Sequence, residues 1–192
     1  FLAGCVYCIG MILASLKEEN VNKRIIISSY SLRKYNRIVL LSNACVIFLM
    51  WLFYMILSFI LFKKLMVSFN GILYMINSLV FAFCGLTIGF LIGNITQNKN
   101  AIGGIVNVVA LGSSFLCGCF VPISYLPNYV LKIAKILPSY YFVTNNELTK
   151  SIEIFSWSNI KPLFINNIVI ITFCILFVII TNFINKKKQI IN

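Results

Sequence analysis

The chain has 192 residues, of which 60% are hydrophobic and only 10% charged, and its formal net charge is +12. With a mean hydropathy of +0.97, it lacks the polar side chains needed to dress a water-facing surface, which excludes a soluble domain. Asp and His are absent, and the four acids, Glu18, Glu19, Glu147 and Glu153, lie in polar stretches, so acid–base and metal chemistry lack their usual groups.

The charge pattern adds a second exclusion. The Lys and Arg residues sit between apolar runs. They read as topology determinants, and no nucleic acid is expected as a partner. A membrane-embedded enzyme stays in play only if its catalytic groups come from sequence outside this chain.

In chain order, the first apolar run is 1–16. It begins at Phe1 with no basic stretch before it and no small-residue cleavage pattern. That argues against a signal peptide and predicts sequence upstream. Four further charge-free runs follow, at 38–62, 71–95, 101–121 and 162–185. A helix needs about 20 apolar residues to cross the hydrocarbon core, whereas a barrel strand takes about ten in strict alternation. These runs are continuous, so the predicted fold is an all-α polytopic membrane protein. It forms a single transmembrane domain over 1–192 with five transmembrane helices, and six in the full protein.

The connections set the orientation. Segments 17–37, 96–100 and 185–192, placed on one side, give that side ten cations in short stretches. The other side holds six, four of them in the long segment 122–161, where charge counts for less. The positive-inside rule therefore predicts a plasma-membrane protein with 17–37 and the C-terminus in the cytoplasm.

Segment 122–161 is too long for an ordinary connection and stays apolar between Pro122, Pro127 and Pro138. Val130 or Leu131, Ala134 and Leu137 recur at helical spacing, with Lys132 and Lys135 beside them. The pattern predicts a short amphipathic helix at the outer membrane surface. An exposed loop is the plainer alternative.

Three residue types inside the runs draw attention. The seven cysteines read as small buried free thiols; Cys5-x-x-Cys8 has the spacing of a redox motif but no polar neighbours. Gly85, Gly89 and Gly93 recur every fourth residue, a small-residue stripe suited to close helix packing. Asn43, Asn77, Asn94, Asn107, Asn166, Asn167 and Asn182 read as interhelical hydrogen-bonding groups, with a substrate-facing role as the alternative.

Three stretches together resemble the ABC-2 type family of ABC transporter permeases. One is Leu16-Lys-Glu-Glu-Asn-Val-Asn-Lys-Arg-Ile-Ile-Ile-Ser-Ser, a charged loop after a span. The second, Gly118-x-x-x-Pro122-x-x-x-x-Pro127, follows a later span. The third is Pro138-Ser-Tyr-Tyr141-Phe142. The resemblance runs over essentially the whole chain and lacks the family's first span. The chain departs from the family pattern in having Tyr30 after Ser29, where Pro is usual, and Ser42-Asn43, where Gly-Lys is common.

The resemblance implies a permease subunit of an ATP-driven exporter, forming half of a translocation pathway with a second permease copy or a paralogue. The implied substrate is amphipathic or apolar: a drug, a lipid, a peptide antibiotic or a glycan-lipid. The chain has no Gly-x-x-x-x-Gly-Lys-Ser/Thr loop, so ATP and Mg would be bound by a separate ABC ATPase subunit. Segment 17–37 would be an amphipathic cytoplasmic coupling helix, with Glu18, Glu19, Lys23, Arg24, Ile25, Ser29 and Arg33 at the ATPase contact. Alternatively these cations only set topology, and the glutamates pair locally with Lys23. The external gate would be a re-entrant helical hairpin built on Gly118, Pro122, Pro127, Pro138 and Tyr141. A channel or structural subunit outside the family is the competing reading.

Overall fold

The computed structural model describes residues 1–18, 32–96, 98–153 and 155–191. Among these residues seven α-helices follow one another: α1 Leu2–Leu16, α2 Leu32–Met66, α3 Phe69–Ile95, α4 Lys99–Leu116, α5 Asn128–Ala134, α6 Pro138–Lys150 and α7 Trp157–Ile191, with one 3-10 turn at Ile123–Tyr125. No strand occurs among the described residues. Among the described residues four stretches are long and apolar enough to cross a membrane, Arg37–Met66, Phe69–Ile95, Lys99–Leu116 and Trp157–Lys186, and α1 is a shorter apolar helix. The protein is an all-α polytopic membrane protein.

The bundle is built around α3. In its most apolar stretch 61% of the residues are buried, against 6% in α2 and 11% in α7, so α3 is the axis and the other two turn most of their surface outward. Glycine makes the axis accessible. A Cβ added at Gly85 would lie 3.0 Å from Cys5 Cβ, one at Gly89 2.9 Å from Ile9 Cβ, and one at Gly93 2.8 Å from Leu13 Cβ. Only hydrogen at these positions allows α1 to pack this close.

The same pairs fix direction. Residues 85, 89 and 93 meet 5, 9 and 13 in ascending order, so α1 and α3 run parallel. In contrast, α4 is antiparallel to α1, since Ile102 packs on Gly10 while Lys99 reaches Glu18. The helix α2 is antiparallel to α3, with Trp51 bonded to Ser78 and Val39 packed in one cluster with Phe90. Connections 17–31 and 96–98 therefore leave the same end of the bundle, and the hairpin α5–α6 lies at the other.

Helix ends follow local chemistry. Ser68 caps α3 by accepting from Gly71 N, and Asn98 caps α4 by accepting from the backbone N–H of Asn100 and Ala101. The run expected to extend to 121 stops as a helix at Leu116, because Gly118 turns the chain with φ +93°. The last span begins five residues before Pro162: proline in the second turn of α7 removes a single helix bond. Among the described residues Lys63 is the one non-glycine with positive φ, at +25°, and it breaks α2 one turn from its end.

Candidate functional site

Three places in the bundle have geometry beyond packing. The first is the root of the connection after α1. Lys17 Nζ donates to Gly93 O at 2.8 Å and to Asn94 Oδ1 at 3.1 Å. These bonds set the ammonium against the C-terminal carbonyls of α3, where the helix dipole favours a cation. Asn94 Nδ2 donates to Phe90 O at 2.7 Å, which orients its oxygen toward the lysine. One residue on, Glu18 pairs with Lys99 at 2.6 Å, at the first residue of α4. The root thus grips both α3 and α4. A cavity of about 100 Å³ opens beside it between Leu13, Leu16, Lys17, Tyr35, Val39, Phe90 and Asn94. Burial raises the Tyr35 phenol above its usual range, so it stands there as a neutral hydroxyl.

Of the residues expected at an ATPase contact, Glu18 stands at this root. Glu19, Lys23, Arg24, Ile25 and Ser29 lie outside the described residues, and Arg33 falls in the first turn of α2. Lys17 and Lys99, which the sequence alone does not single out, supply the contacts.

The second place is the outer face of α4. Gly104, Asn107, Val108, Leu111 and Phe115 are exposed along one side. A Cβ at Gly104 or Gly112 would meet nothing within 4 Å. Asn107 sits at the middle of the helix with its carboxamide turned outward, and it finds no partner among the described residues. A bare amide in hydrocarbon costs free energy, so this face requires a polar or proteinaceous neighbour.

The third is the hairpin and its fastening. Gly118 lies against Ile123, Pro122 caps the 3-10 turn, and Pro127 caps α5. Pro138 is the first residue of α6, where its missing N–H costs nothing. Tyr141 donates its hydroxyl to Lys135 O at 3.0 Å, tying the two arms of the hairpin together. In α5 Ala134 is fully buried, Val130 and Leu131 are half-buried and Lys132 is exposed, but Tyr129 and Ile133 are exposed too and Leu137 lies past the helix end, so the expected stripe is met only in part. The second arm, α6, runs from Pro138 to Lys150.

Asn145 on α6 is the hub that holds the hairpin. Its Nδ2 donates to Asn77 Oδ1 at 3.0 Å, Asn167 Oδ1 at 3.3 Å and Leu163 O at 3.3 Å, and its Oδ1 accepts from Asn166 at 2.8 Å. Asn77 completes the set by donating to Asn146 Oδ1 at 2.8 Å and Phe142 O at 3.0 Å. Phe81 and Phe142 stack alongside at 4.2 Å. Asn77, Asn166 and Asn167 therefore bond between helices, and Asn94 does so through Lys17. Among the described residues Asn43 bonds within its own helix, to Val39 O, while Asn107 and Asn182 are exposed. The cysteines are all free, but Cys45 and Cys119 are exposed, contrary to the expectation of uniformly buried thiols; Cys45 lies on the little-covered α2 and Cys119 beyond the end of α4. No group of His, Cys, Asp or Glu suited to a metal occurs among the described residues.

A family description, ABC-2 type transporter, matches residues 2–145. No curated protein and no solved structure matches the chain. The matched stretch takes in α1 to α4, the hairpin and the hub residue Asn145. With a helical bundle of this order and direction behind that match, the chain belongs to the ABC-2 type transporter family as a membrane-spanning permease component.

Proposed function

We propose that this protein is one permease half of an ATP-driven exporter. It pairs with a second permease copy or a paralogue across the outer face of α4, and it is driven by a separate ABC ATPase that binds ATP and Mg. The observation that carries the reading is that α4 turns Asn107 outward at the middle of its length, between Gly104 and Gly112. Lipid gives that amide no partner, while a facing permease or a wet pathway does. Export also fits the scarcity of membrane-depth acids, which ion-coupled transport generally uses as relays.

In this reading the cytoplasm lies at the Lys17 end. Segment 17–37 docks on the ATPase, with Glu18, Glu19, Lys23, Arg24, Ile25, Ser29 and Arg33 as contact residues. Displacement of that segment passes to α3 through Lys17 and to α4 through the Glu18–Lys99 pair. The hairpin at the far end, with Gly118, Pro122, Pro127, Pro138 and Tyr141, closes the pathway's exit. The substrate class is amphipathic or apolar, matching the uncharged interior.

A photo-crosslinking residue at Val108 or Leu111 tests the pairing in intact membranes. A crosslinked permease pair is expected from these positions and none from Ile56 on the outward face of α2. Equal yields from α4 and α2 would refute the α4 interface. Separately, the K23E/R24E variant is expected to insert normally and to lose co-purification with the ATPase; retained co-purification overturns the docking assignment.

A further inference from the structure

At the hairpin end, beyond the asparagine hub, a surface cavity of about 430 Å³ is lined by Lys64, Leu65, Ser68, Asn70, Tyr74 and Lys150. Two cations from different helices, the end of α2 and the end of α6, border the same space. Neither meets an acid among the described residues, and the nearest acids in sequence, Glu147 and Glu153, are exposed. Two ammonium groups held around one space repel each other. Water and salt screen these exposed groups, and an anion between them adds charge-assisted hydrogen bonds to both.

The remaining wall has the complementary chemistry. Asn70 uses one amide hydrogen on Ile152 O at 3.0 Å, leaving the other for a ligand oxygen. Tyr74 donates to Asn146 O at 3.2 Å, so its oxygen is available to accept from a ligand hydroxyl. The break of α2 at Lys63, with φ +25°, directly precedes the two residues of α2 that line the cavity. Strained backbone of this kind persists where a site depends on it.

The surroundings place the cavity at the membrane boundary. It adjoins the end of the apolar stretch Arg37–Met66. Phe69 and Phe155 meet edge to face at 4.1 Å close by in sequence, and they are exposed together with Trp157. Aromatic residues collect at headgroup level. Leu61, ahead of the break at Lys63, and Leu65, in the cavity wall, are both exposed, apolar surface beside which an acyl chain can lie.

We propose that this cavity binds the anionic, phosphate-bearing headgroup of a membrane lipid in the leaflet at the hairpin end. The lysines and Asn70 hold the phosphate, and Tyr74 takes a headgroup hydroxyl. A zwitterionic headgroup carries its own cation into a site that already has two, so it binds less well. The assignment is independent of which substrate the transporter moves.

Native mass spectrometry of the full-length protein in mild detergent, with phosphatidylglycerol and phosphatidylcholine as probes, tests it. The wild-type protein is expected to retain phosphatidylglycerol about tenfold better. K64Q/K150Q is expected to lose that preference, while K132Q/K135Q, which removes two exposed lysines of the hairpin, keeps it. Single K64Q and K150Q variants serve if the double variant does not elute as wild type in gel filtration, and each is expected to weaken the preference. Unchanged preference in the cavity variants overturns the site. Equal loss in K132Q/K135Q overturns it in favour of diffuse charge attraction. Displacement of the lipid by millimolar inorganic phosphate overturns the lipid as the source and leaves a free-anion site.

Discussion

The two ends of α3 are fastened in opposite ways. At the hairpin end, neutral carboxamides of α3, α6 and α7 bond to one another in a closed set around the fully buried Asn145. At the other end, the fastening is a lysine laid on terminal carbonyls and an ion pair whose side chains are 43% and 55% exposed. Amide networks in apolar surroundings have no alternative partner and hold one geometry. Exposed charge pairs exchange with water and salt at little cost. The Lys17 end is therefore easily re-set, as the proposed coupling to an ATPase requires of it, and the hairpin end is not.

Substitutions along α3 sharpen or break this contrast. The largest effect is expected from Asn145→Leu, which strands three carboxamides and a carbonyl. It should cost about 3 kcal/mol, read as a lower unfolding temperature in detergent. Next comes Gly89→Val at the seam between the two ends, whose new carbons overlap Ile9 and the Val6 carbonyl; overpacking there should cost about 2 kcal/mol. Lys17→Met, with a side chain of similar length, should cost about 1 kcal/mol yet sharply reduce transport-linked ATP hydrolysis by the complex. The smallest stability change, about 0.5 kcal/mol, is expected from Glu18→Gln, and it should vanish as salt is raised. If Lys17→Met destabilises the bundle as much as Asn145→Leu, the two ends are alike and the contrast fails.

Much of this was legible before any coordinates. Long charge-free runs leave few alternatives to helices in lipid, and the fourfold glycine spacing marks the face of α3 that α1 meets. Asn77, Asn166 and Asn167 could be recognised because polar groups inside apolar runs need partners. Asn145 could not, since it lies in a stretch of ordinary polarity that resembles a loop. The available signals were Pro138 as a helix start instead of a stop, and Phe142, Asn145 and Thr149 at spacings of three and four. The Lys17 and Lys99 contacts were illegible for a different reason. They join residues more than 70 apart in sequence, and only the parallel and antiparallel directions of α1, α3 and α4 bring them together.

One dimension of α2 has a mechanical consequence. Its unbroken part, from Leu32 to the break at Lys63, runs about 46 Å at 1.5 Å per residue, against a hydrocarbon thickness of about 30 Å; it must tilt or protrude. Trp51, near its midpoint, is bonded to Ser78 of α3, and most of the remaining surface is uncovered. Val39 and Ile47 pack on α3 as well, so the stretch beyond Trp51 is the free arm of the helix. A swing of about 10° about Trp51 carries the end of that arm roughly 3 Å, so its tilt sets where the break at Lys63 presents the short segment that carries Lys64.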